Sequence, residues 1–314
     1  MDKKLIRILL ISGPTASGKS GLALRVAEEL DGVVVNADSM QVYADLRVLT
    51  ARPSTEDEAR APHKLYGNRD GAEACTAADW ANDAAEEIQK AREAGQQPIV
   101  VGGTGLYIKT LLQGIAAIPD IPVGVREAGR RLRLEHGNDA LYQSLKDKDP
   151  EGAEKLKPKD RQRVLRAWEV VEATGTPLHV WQKKPSTPLL PDAQFFSVLF
   201  EPDRETLYAA CDSRFDAMLE AGALGEVEVL IQRNLNPSLP VMKALGVPEL
   251  AAFLAGDITQ EEAVTKAQQH TRNYAKRQTT WFRTQFNASG TIPEQYSDSL
   301  FQEIFPIIRQ FLLT

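Results

Sequence analysis

Residues 13–20 read GPTASGKS and directly follow an apolar stretch, LIRILLIS, at residues 5–12. The eight residues fit the pattern G-x-x-x-x-G-K-[ST]. A loop of this kind between a buried strand and a helix turns backbone N–H groups towards a phosphate; its lysine adds positive charge and its serine can ligate Mg²⁺. We therefore predict that the loop binds a phosphate or diphosphate. The predicted binding residues are Gly13, Pro14, Thr15, Ala16, Ser17, Gly18, Lys19 and Ser20, with Ser20 as the metal ligand.

Strand-like and helix-like segments alternate on the C-terminal side of this loop. Leucines, alanines and a valine at helical spacing over residues 18–30 predict a helix, and the apolar runs GVVVNAD and QPIVVGG predict two more buried strands. Residues 76–95 predict a helix capped by Thr76, and residues 46–70 a charged loop. This alternation is typical of an α/β fold, a P-loop core with a parallel sheet flanked by helices, which binds ligands at the carboxyl ends of its strands.

The sequence changes character after about residue 115. Residues 126–184 contain charged helical segments and no strand-like run, whereas AQFFSVLFEPD, residues 193–203, predicts a return to a buried strand. Two or three helices are expected after it, including a long one over about residues 260–283. We predict a core in two parts, residues 1–115 and 191–314, and an all-helical insertion at residues 116–190.

Composition limits the class of protein. The chain has 314 residues, 43% hydrophobic and 25% charged, which is ordinary for a globular protein. We expect no signal peptide or membrane span, and neither disulfides nor structural zinc, because the two cysteines and four histidines show no suitable spacing. A monomeric cytoplasmic protein without an obligate protein partner is the expectation. The net charge of −6 argues mildly against nucleic-acid binding.

The position of the acidic residues bears on the reaction. A nucleotide hydrolase or kinase of this class would carry a carboxylate after a further strand, or arginines on a lid. Here QPIVVGG ends without an acid, and the carboxylate is Asp38, at the end of the second strand beside the predicted phosphate site. A base there suggests group transfer. Two alternatives remain open: Asp38 as a helix N-cap, and Thr104 in GGTG as part of a simple turn.

Basic residues are clustered in the second half of this acidic chain. One cluster lies in KLKPKDRQRVLR, residues 155–166; a second contains Arg126, Arg130, Arg131 and Arg133. On the long C-terminal helix Arg272, Lys276 and Arg283 share one face, opposite Val264, Ala267, Tyr274 and Trp281, which are expected to pack on the core. Each cluster alone could be a solvated charged face. Together they suggest a cleft for a polyanion such as RNA.

Several motifs resemble those of the bacterial tRNA dimethylallyltransferases, the tRNA isopentenyltransferase family. They occur in the family's order over nearly the whole chain: GPTASGKS, ADSMQVY, TARPS, APHKL, TAADW, VVGGTGLYIKTLLQG, DRQRVLRAWEV and YAKRQTTWFR. The elements DSMQVY, GGTGLY and KRQTTWFR are specific to this family.

The resemblance implies transfer of a dimethylallyl group from dimethylallyl diphosphate to N6 of adenosine 37, next to the anticodon, in tRNAs that read codons starting with U. The products are i6A37 and diphosphate. Asp38, Thr104 and Lys19 would be catalytic, Asp38 as the general base, with Mg²⁺ as cofactor. The implied tRNA-binding residues, contacting the anticodon stem-loop, are Asp38, Ser39, Met40, Gln41, Thr104, Arg126, Gln162, Arg163, Val164, Leu165, Arg166 and Lys243. Arg272 and Lys276, from the basic face of the long C-terminal helix, are predicted to bind tRNA as well.

Two other functions share parts of this pattern. A small-molecule adenylate isopentenyltransferase would have the same loop, Asp38 and Thr104, but would not need the basic insertion. A P-loop nucleotide kinase or ATPase would also have the loop, which by itself is typical of ATP-binding proteins. Rapid ATP turnover would distinguish the latter.

Overall fold

A parallel sheet of six strands forms the centre of the computed structural model, which describes residues 5–313. Its strand order is β3-β2-β4-β1-β5-β6, and every neighbouring pair is parallel. This confirms the predicted α/β class. The strands are β1 Ile6–Ser12, β2 Gly32–Asn36, β3 His63–Lys64, β4 Gln97–Gly102, β5 Ala193–Phe200 and β6 Gly290–Ile292.

Both faces of the sheet are buried, each in its own hydrophobic core. Successive side chains of a strand point to opposite faces, so each strand contributes to both cores. In β1, Ile8 and Leu10 belong to one hydrophobic core, and Leu9 and Ile11 belong to the other. The Leu9 side packs against α1 (Lys19–Leu30) and α13 (Asp298–Leu313). The Ile8 side packs against six other helices: α3 Ala77–Glu93, α4 Gly105–Gln113, α9 Arg204–Glu220, α10 Ala223–Gln232, α11 Val247–Leu254 and α12 Gln260–Gln285.

Residues 113–188 form a separate compact unit within the chain, where the sequence analysis expected an insertion at residues 116–190. Among the described residues this unit contains helices and no strand: α5 Val123–Lys148, interrupted at Gly137, then α6 Pro150–Glu154, α7 Arg161–Thr174 and α8 Leu178–Lys183. Its own core includes Leu141, Leu145, Val164 and Trp168. The Trp168 indole donates a hydrogen bond to Ser144 Oγ at 2.9 Å.

Two local expectations are wrong. The predicted loop at residues 46–70 contains a short helix, α2 (Thr55–Arg60), and the edge strand β3. Ser54 and Asp57 cap that helix reciprocally, a signature that the sequence carried. After β5 the chain forms α9 to α13 rather than two or three helices. Gly222 and Gly246, both at positive φ, directly precede α10 and α11 and separate these helices from the segments before them.

Thr76 caps α3 as predicted, its hydroxyl accepting a hydrogen bond from the Asp79 amide. The long helix α12 also agrees with its predicted bounds. No helix within residues 5–313 is long and apolar enough to cross a membrane.

Candidate active site

The phosphate loop joins β1 to α1 through two glycines at positive φ. Gly13 has φ +151°, and a Cβ there would lie 2.9 Å from both the Cβ and the carbonyl oxygen of Phe200. Gly18 has φ +86° and caps α1, which begins at Lys19. Ala16, with φ 61°, also lies in the left-handed region. The loop therefore has the alternating backbone of an anion-binding nest at a helix N-terminus.

Two side chains of this loop indicate that it is built for an anion. Ser17 Oγ is fully buried and has no hydrogen-bond partner among the described residues, and Lys19 Nζ donates to the Pro14 carbonyl at 3.0 Å, across the loop. Burial lowers the pKa of Lys19 to about 8, although the negative charge of Asp38 acts in the opposite direction. A bound diphosphate would stabilise the charged form of the lysine and partner the serine.

Asp38 follows β2 in a turn that Asn36 organises. The side-chain nitrogen Nδ2 of Asn36 donates to the carbonyls of Asp38 and Leu65, both at 3.0 Å. The side-chain oxygen Oδ1 of Asn36 accepts a hydrogen bond from the backbone amide of Asp38 at 2.7 Å. Asp38 Oδ1 accepts from the Met40 amide at 2.9 Å. No helix starts here in the described chain, so the alternative of Asp38 as a helix N-cap is wrong.

Thr104 connects the end of β4 to this turn. Its hydroxyl accepts a hydrogen bond from the Ser39 amide at 2.9 Å, and its own amide donates to the Ala37 carbonyl at 3.2 Å. The approach is close because Gly102 lacks a side chain: a Cβ there would lie 2.2 Å from the Ala37 carbonyl group. GGTG is thus more than a turn, since it fixes the segment that carries Asp38.

Two cavities adjoin at Asp38. One, of about 410 Å³, is lined by the phosphate loop, Gln41, Tyr66 and Tyr296. The other, of about 270 Å³, has a mixed lining that includes Met40, Leu49, Phe215 and Met218 with Lys243, Tyr274 and Arg277. Asp38, Thr15, Thr50 and Arg214 line both. The arrangement can hold a diphosphate on one side of the carboxylate and a second, flatter molecule on the other.

Arg214 is a site residue that the sequence analysis missed. It comes from α9, its guanidinium is hydrogen-bonded to Thr15 Oγ1, and it lines both cavities. Burial lowers the pKa of Arg214 from its usual range, but a guanidinium keeps its charge in proteins. Its position on α9 could have indicated this role. The buried face of this helix consists of Leu207, Cys211, Phe215 and Met218, and Arg214, seven residues after Leu207, lies beside that face.

Two tyrosines were also missed. Tyr66 lines the phosphate-side cavity, and Tyr274 lines the other; burial raises the pKa of both phenols, and the nearby negative charge of Asp38 raises each further. Both therefore stay protonated and can donate hydrogen bonds to a ligand. Helical periodicity predicts core packing for Tyr274, and the structure corrects this prediction because the ring lines a cavity.

The predicted basic residues of the core unit differ in their surroundings. Lys243 lines the second cavity and donates to the Ser238 carbonyl at 2.5 Å. Arg272 is paired with Asp212 at 2.6 Å, which neutralises much of its charge. Lys276 is exposed and, among the described residues, has no carboxylate within 4.0 Å.

The predicted tRNA-binding residues of the insertion differ in their exposure. Arg126, Gln162 and Arg163 are exposed, Arg166 and Leu165 are half-buried, and Arg163 and Arg166 each have an acidic neighbour, Asp160 and Glu169. Val164 is fully buried in the core of this unit, so its side chain is not available to a ligand. The Val164 side chain packs in that core, and a contact of its backbone with RNA stays a prediction.

A protein cage for a metal is absent from residues 5–313, where no group of three or more His, Cys, Asp or Glu side chains is suitably placed. Mg²⁺ often needs no such cage, because it retains waters and takes oxygens from a bound diphosphate. The Ser20 side chain lines the phosphate-side cavity, and the unpartnered Ser17 hydroxyl lies in the same loop. These residues fit a Mg²⁺ ion that is bound together with a diphosphate.

Comparisons with known proteins agree with this geometry. Residues 41–285 match the family model described as IPP transferase. The chain is 55% identical over 282 residues, 90% of each protein, to a tRNA dimethylallyltransferase of Rhodospirillum centenum. It also resembles the crystal structure of tRNA delta(2)-isopentenylpyrophosphate transferase from Staphylococcus epidermidis, with TM-score 0.69 and 33% identity over 97% of this chain and 99% of that one. A eukaryotic dimethylallyltransferase acting on tRNA gives TM-score 0.73 and 28% identity over 88% and 70% of the two chains.

Proposed function

The chain belongs to the IPP transferase family, and we propose that it transfers the dimethylallyl group of dimethylallyl diphosphate to N6 of adenosine 37 of tRNA. The acceptors are tRNAs that read codons starting with U, and the products are i6A37 and diphosphate. The observation that carries this proposal is the pair of cavities that adjoin at Asp38. One is lined by an anion-binding loop, and the other has a mixed lining of apolar, aromatic and basic side chains that is suited to an extruded base and its phosphates.

The reaction forms a bond between N6 of the adenine and C1 of the dimethylallyl group, while the bond from C1 to the diphosphate oxygen breaks. Asp38 accepts the proton that N6 loses, since its carboxylate lines both cavities. Within residues 5–313, only one of its oxygens is held by a backbone amide, that of Met40. The other oxygen is therefore available to the amine.

The leaving diphosphate gains negative charge as the bond breaks. Lys19, Arg214 and the loop amides supply positive charge and N–H donors at that side of Asp38, and stabilisation of developing charge is commonly the largest catalytic contribution. We propose that Mg²⁺ is held by Ser20 together with diphosphate oxygens. When bound, it supplies further positive charge.

Unpaired cations of the insertion support a tRNA surface on that unit. Lys157, Lys159 and Arg161 are exposed and, in the part of the chain that the structure describes, have no carboxylate within 4.0 Å. Cations without protein partners are free to bind phosphates.

Cys75 and Cys211 are free thiols, which supports a reducing compartment, and we propose the cytoplasm.

The test is transfer of label from radiolabelled dimethylallyl diphosphate to unmodified tRNA bearing A36-A37-A38, with free AMP as a competing acceptor. A tRNA with guanosine at position 37 is the matched control. We expect label on the first tRNA and none on the control or on AMP. Label on AMP alone would indicate a small-molecule isopentenyltransferase, and rapid ATP hydrolysis without transfer would indicate a phosphate-loop NTPase.

A further inference from the structure

Gln278 of α12 connects the phosphate loop to the GGTG turn. Its side chain is buried, with 5% exposed, and both ends of its amide are bonded. Gln278 Oε1 accepts a hydrogen bond from the Thr15 amide at 2.8 Å, and Nε2 donates to the Gly103 carbonyl at 2.9 Å. One side chain therefore bonds the backbones of two loops that come from different strands.

The space around this amide is closed. A Cβ at Gly103 would lie 2.3 Å from Gln278 Nε2 and 2.9 Å from the Gly13 carbonyl oxygen. The GGTG turn, the phosphate loop and α12 thus meet without room for a side chain at Gly103. Their relative positions depend on the Gln278 amide.

Each of the two loops continues to a reacting group. Thr15 lies beside Arg214, to which its hydroxyl is hydrogen-bonded. Gly103 precedes Thr104, whose hydroxyl accepts from the Ser39 amide, next to Asp38. Gln278 is therefore two hydrogen-bonded steps from Arg214 and four covalent or hydrogen-bonded steps from Asp38.

We propose that Gln278 is a positioning residue that fixes the separation between the diphosphate site and the general base Asp38. This inference rests on the proposed function, because it assigns to Gln278 the alignment of the two substrates in that reaction. Gln278 lines neither cavity, so it acts through Thr15 and Gly103 and not by contact with a substrate. Its loss should lower kcat more than it changes KM.

The chemistry of the site requires a side chain that both accepts and donates. A neutral amide does so at any ordinary pH. A glutamic acid does so only while protonated, when its carbonyl oxygen accepts from Thr15 and its hydroxyl donates to Gly103. Once ionised it has no donor, and a negative oxygen faces the Gly103 carbonyl. Gln278→Glu should therefore act like the native residue at low pH and fail at higher pH.

The test compares Gln278→Glu and Gln278→Met with the wild type in the tRNA transfer assay. Gln285→Met is the matched control, since Gln285 is an exposed glutamine of the same helix. For Gln278→Met we expect kcat to fall by about 10- to 100-fold, as a misplacement of about 1 Å can cost that much, with KM values within about threefold. The control should keep wild-type constants.

A pH profile separates positioning from a purely structural role. The ratio of Gln278→Glu to wild-type kcat should fall at least about tenfold between about pH 6 and about pH 8.5 as the carboxyl ionises. The ratio for Gln278→Met should be independent of pH. If thermal unfolding shows that Gln278→Met does not fold, the pH profile of Gln278→Glu decides alone.

Wild-type kcat in Gln278→Met, or a ratio of Gln278→Glu to wild-type kcat that stays near one from about pH 6 to about pH 8.5, would overturn the inference while leaving the proposed function intact. Absence of transfer by the wild type would instead overturn the proposed function, and the inference with it.

Discussion

Replacing Asp38 by asparagine should abolish most of the activity while leaving the fold unchanged. Asp38 Oδ1 accepts the Met40 amide at 2.9 Å, and an asparagine side-chain oxygen can accept the same bond. The turn, which also depends on the Asn36 side chain, is therefore retained. We expect the free energy of unfolding to change by less than about 1 kcal/mol, the usual net value of a single hydrogen bond.

The rate should fall because an amide cannot take the proton from N6. Loss of a general base costs about 10²- to 10⁴-fold, which corresponds to about 3–5 kcal/mol of activation free energy. Asp38→Ala additionally loses the bond to Met40, so it should be less stable than Asp38→Asn by about 1 kcal/mol yet equally slow.

The assay is single-turnover transfer from dimethylallyl diphosphate to an anticodon stem-loop, with stability measured by urea unfolding. Single-turnover conditions isolate the chemical step from product release. A rate of Asp38→Asn within tenfold of the wild type would refute the assignment of Asp38 as the base. A much slower Asp38→Ala would show that the turn, and not proton transfer, sets the rate.

Three further predictions concern charge and packing. Because the pKa of Lys19 is lowered to about 8, affinity for dimethylallyl diphosphate should fall as pH rises through that value; calorimetry should show the fall lessened in Lys19→Arg, whose charge persists. Trp80→Phe should lower the free energy of unfolding, measured by urea denaturation, by about 1–3 kcal/mol, because the buried Asn36 carbonyl loses its 2.7 Å bond from the indole. Changing Lys157, Lys159 and Arg161 together to glutamine should reduce the slope of log affinity for tRNA against log salt by about 2, if each binds one phosphate; an unchanged slope in a filter-binding titration would contradict this.

Much of the fold could be predicted because its signals are local. Apolar runs such as residues 6–12 and 98–102 are largely buried on both faces of a parallel sheet, and the glycine pattern of residues 13–20 requires a tight loop between strand and helix. The carboxylate after β2 was placed correctly for the same reason: the carboxyl ends of parallel strands share one edge. The short strand β6 was missed because three residues carry no periodicity.

The site residues that could not be predicted come from distant parts of the chain. Arg214 and Tyr274 belong to α9 and α12, about two hundred or more residues after the phosphate loop, and their spacing from Asp38 carries no sequence pattern. Periodicity placed Tyr274 on the apolar face of α12, which is correct for the backbone. It could not show that this face also borders a cavity.

Nucleoside analysis of an unmodified anticodon stem-loop, after incubation with the protein, dimethylallyl diphosphate and Mg²⁺, tests the proposed reaction most directly. Digestion and mass spectrometry should find dimethylallyl on N6 of adenosine 37 and on no other nucleoside, with one diphosphate released per group transferred. An RNA that stays unmodified, or is modified at another position, would contradict it.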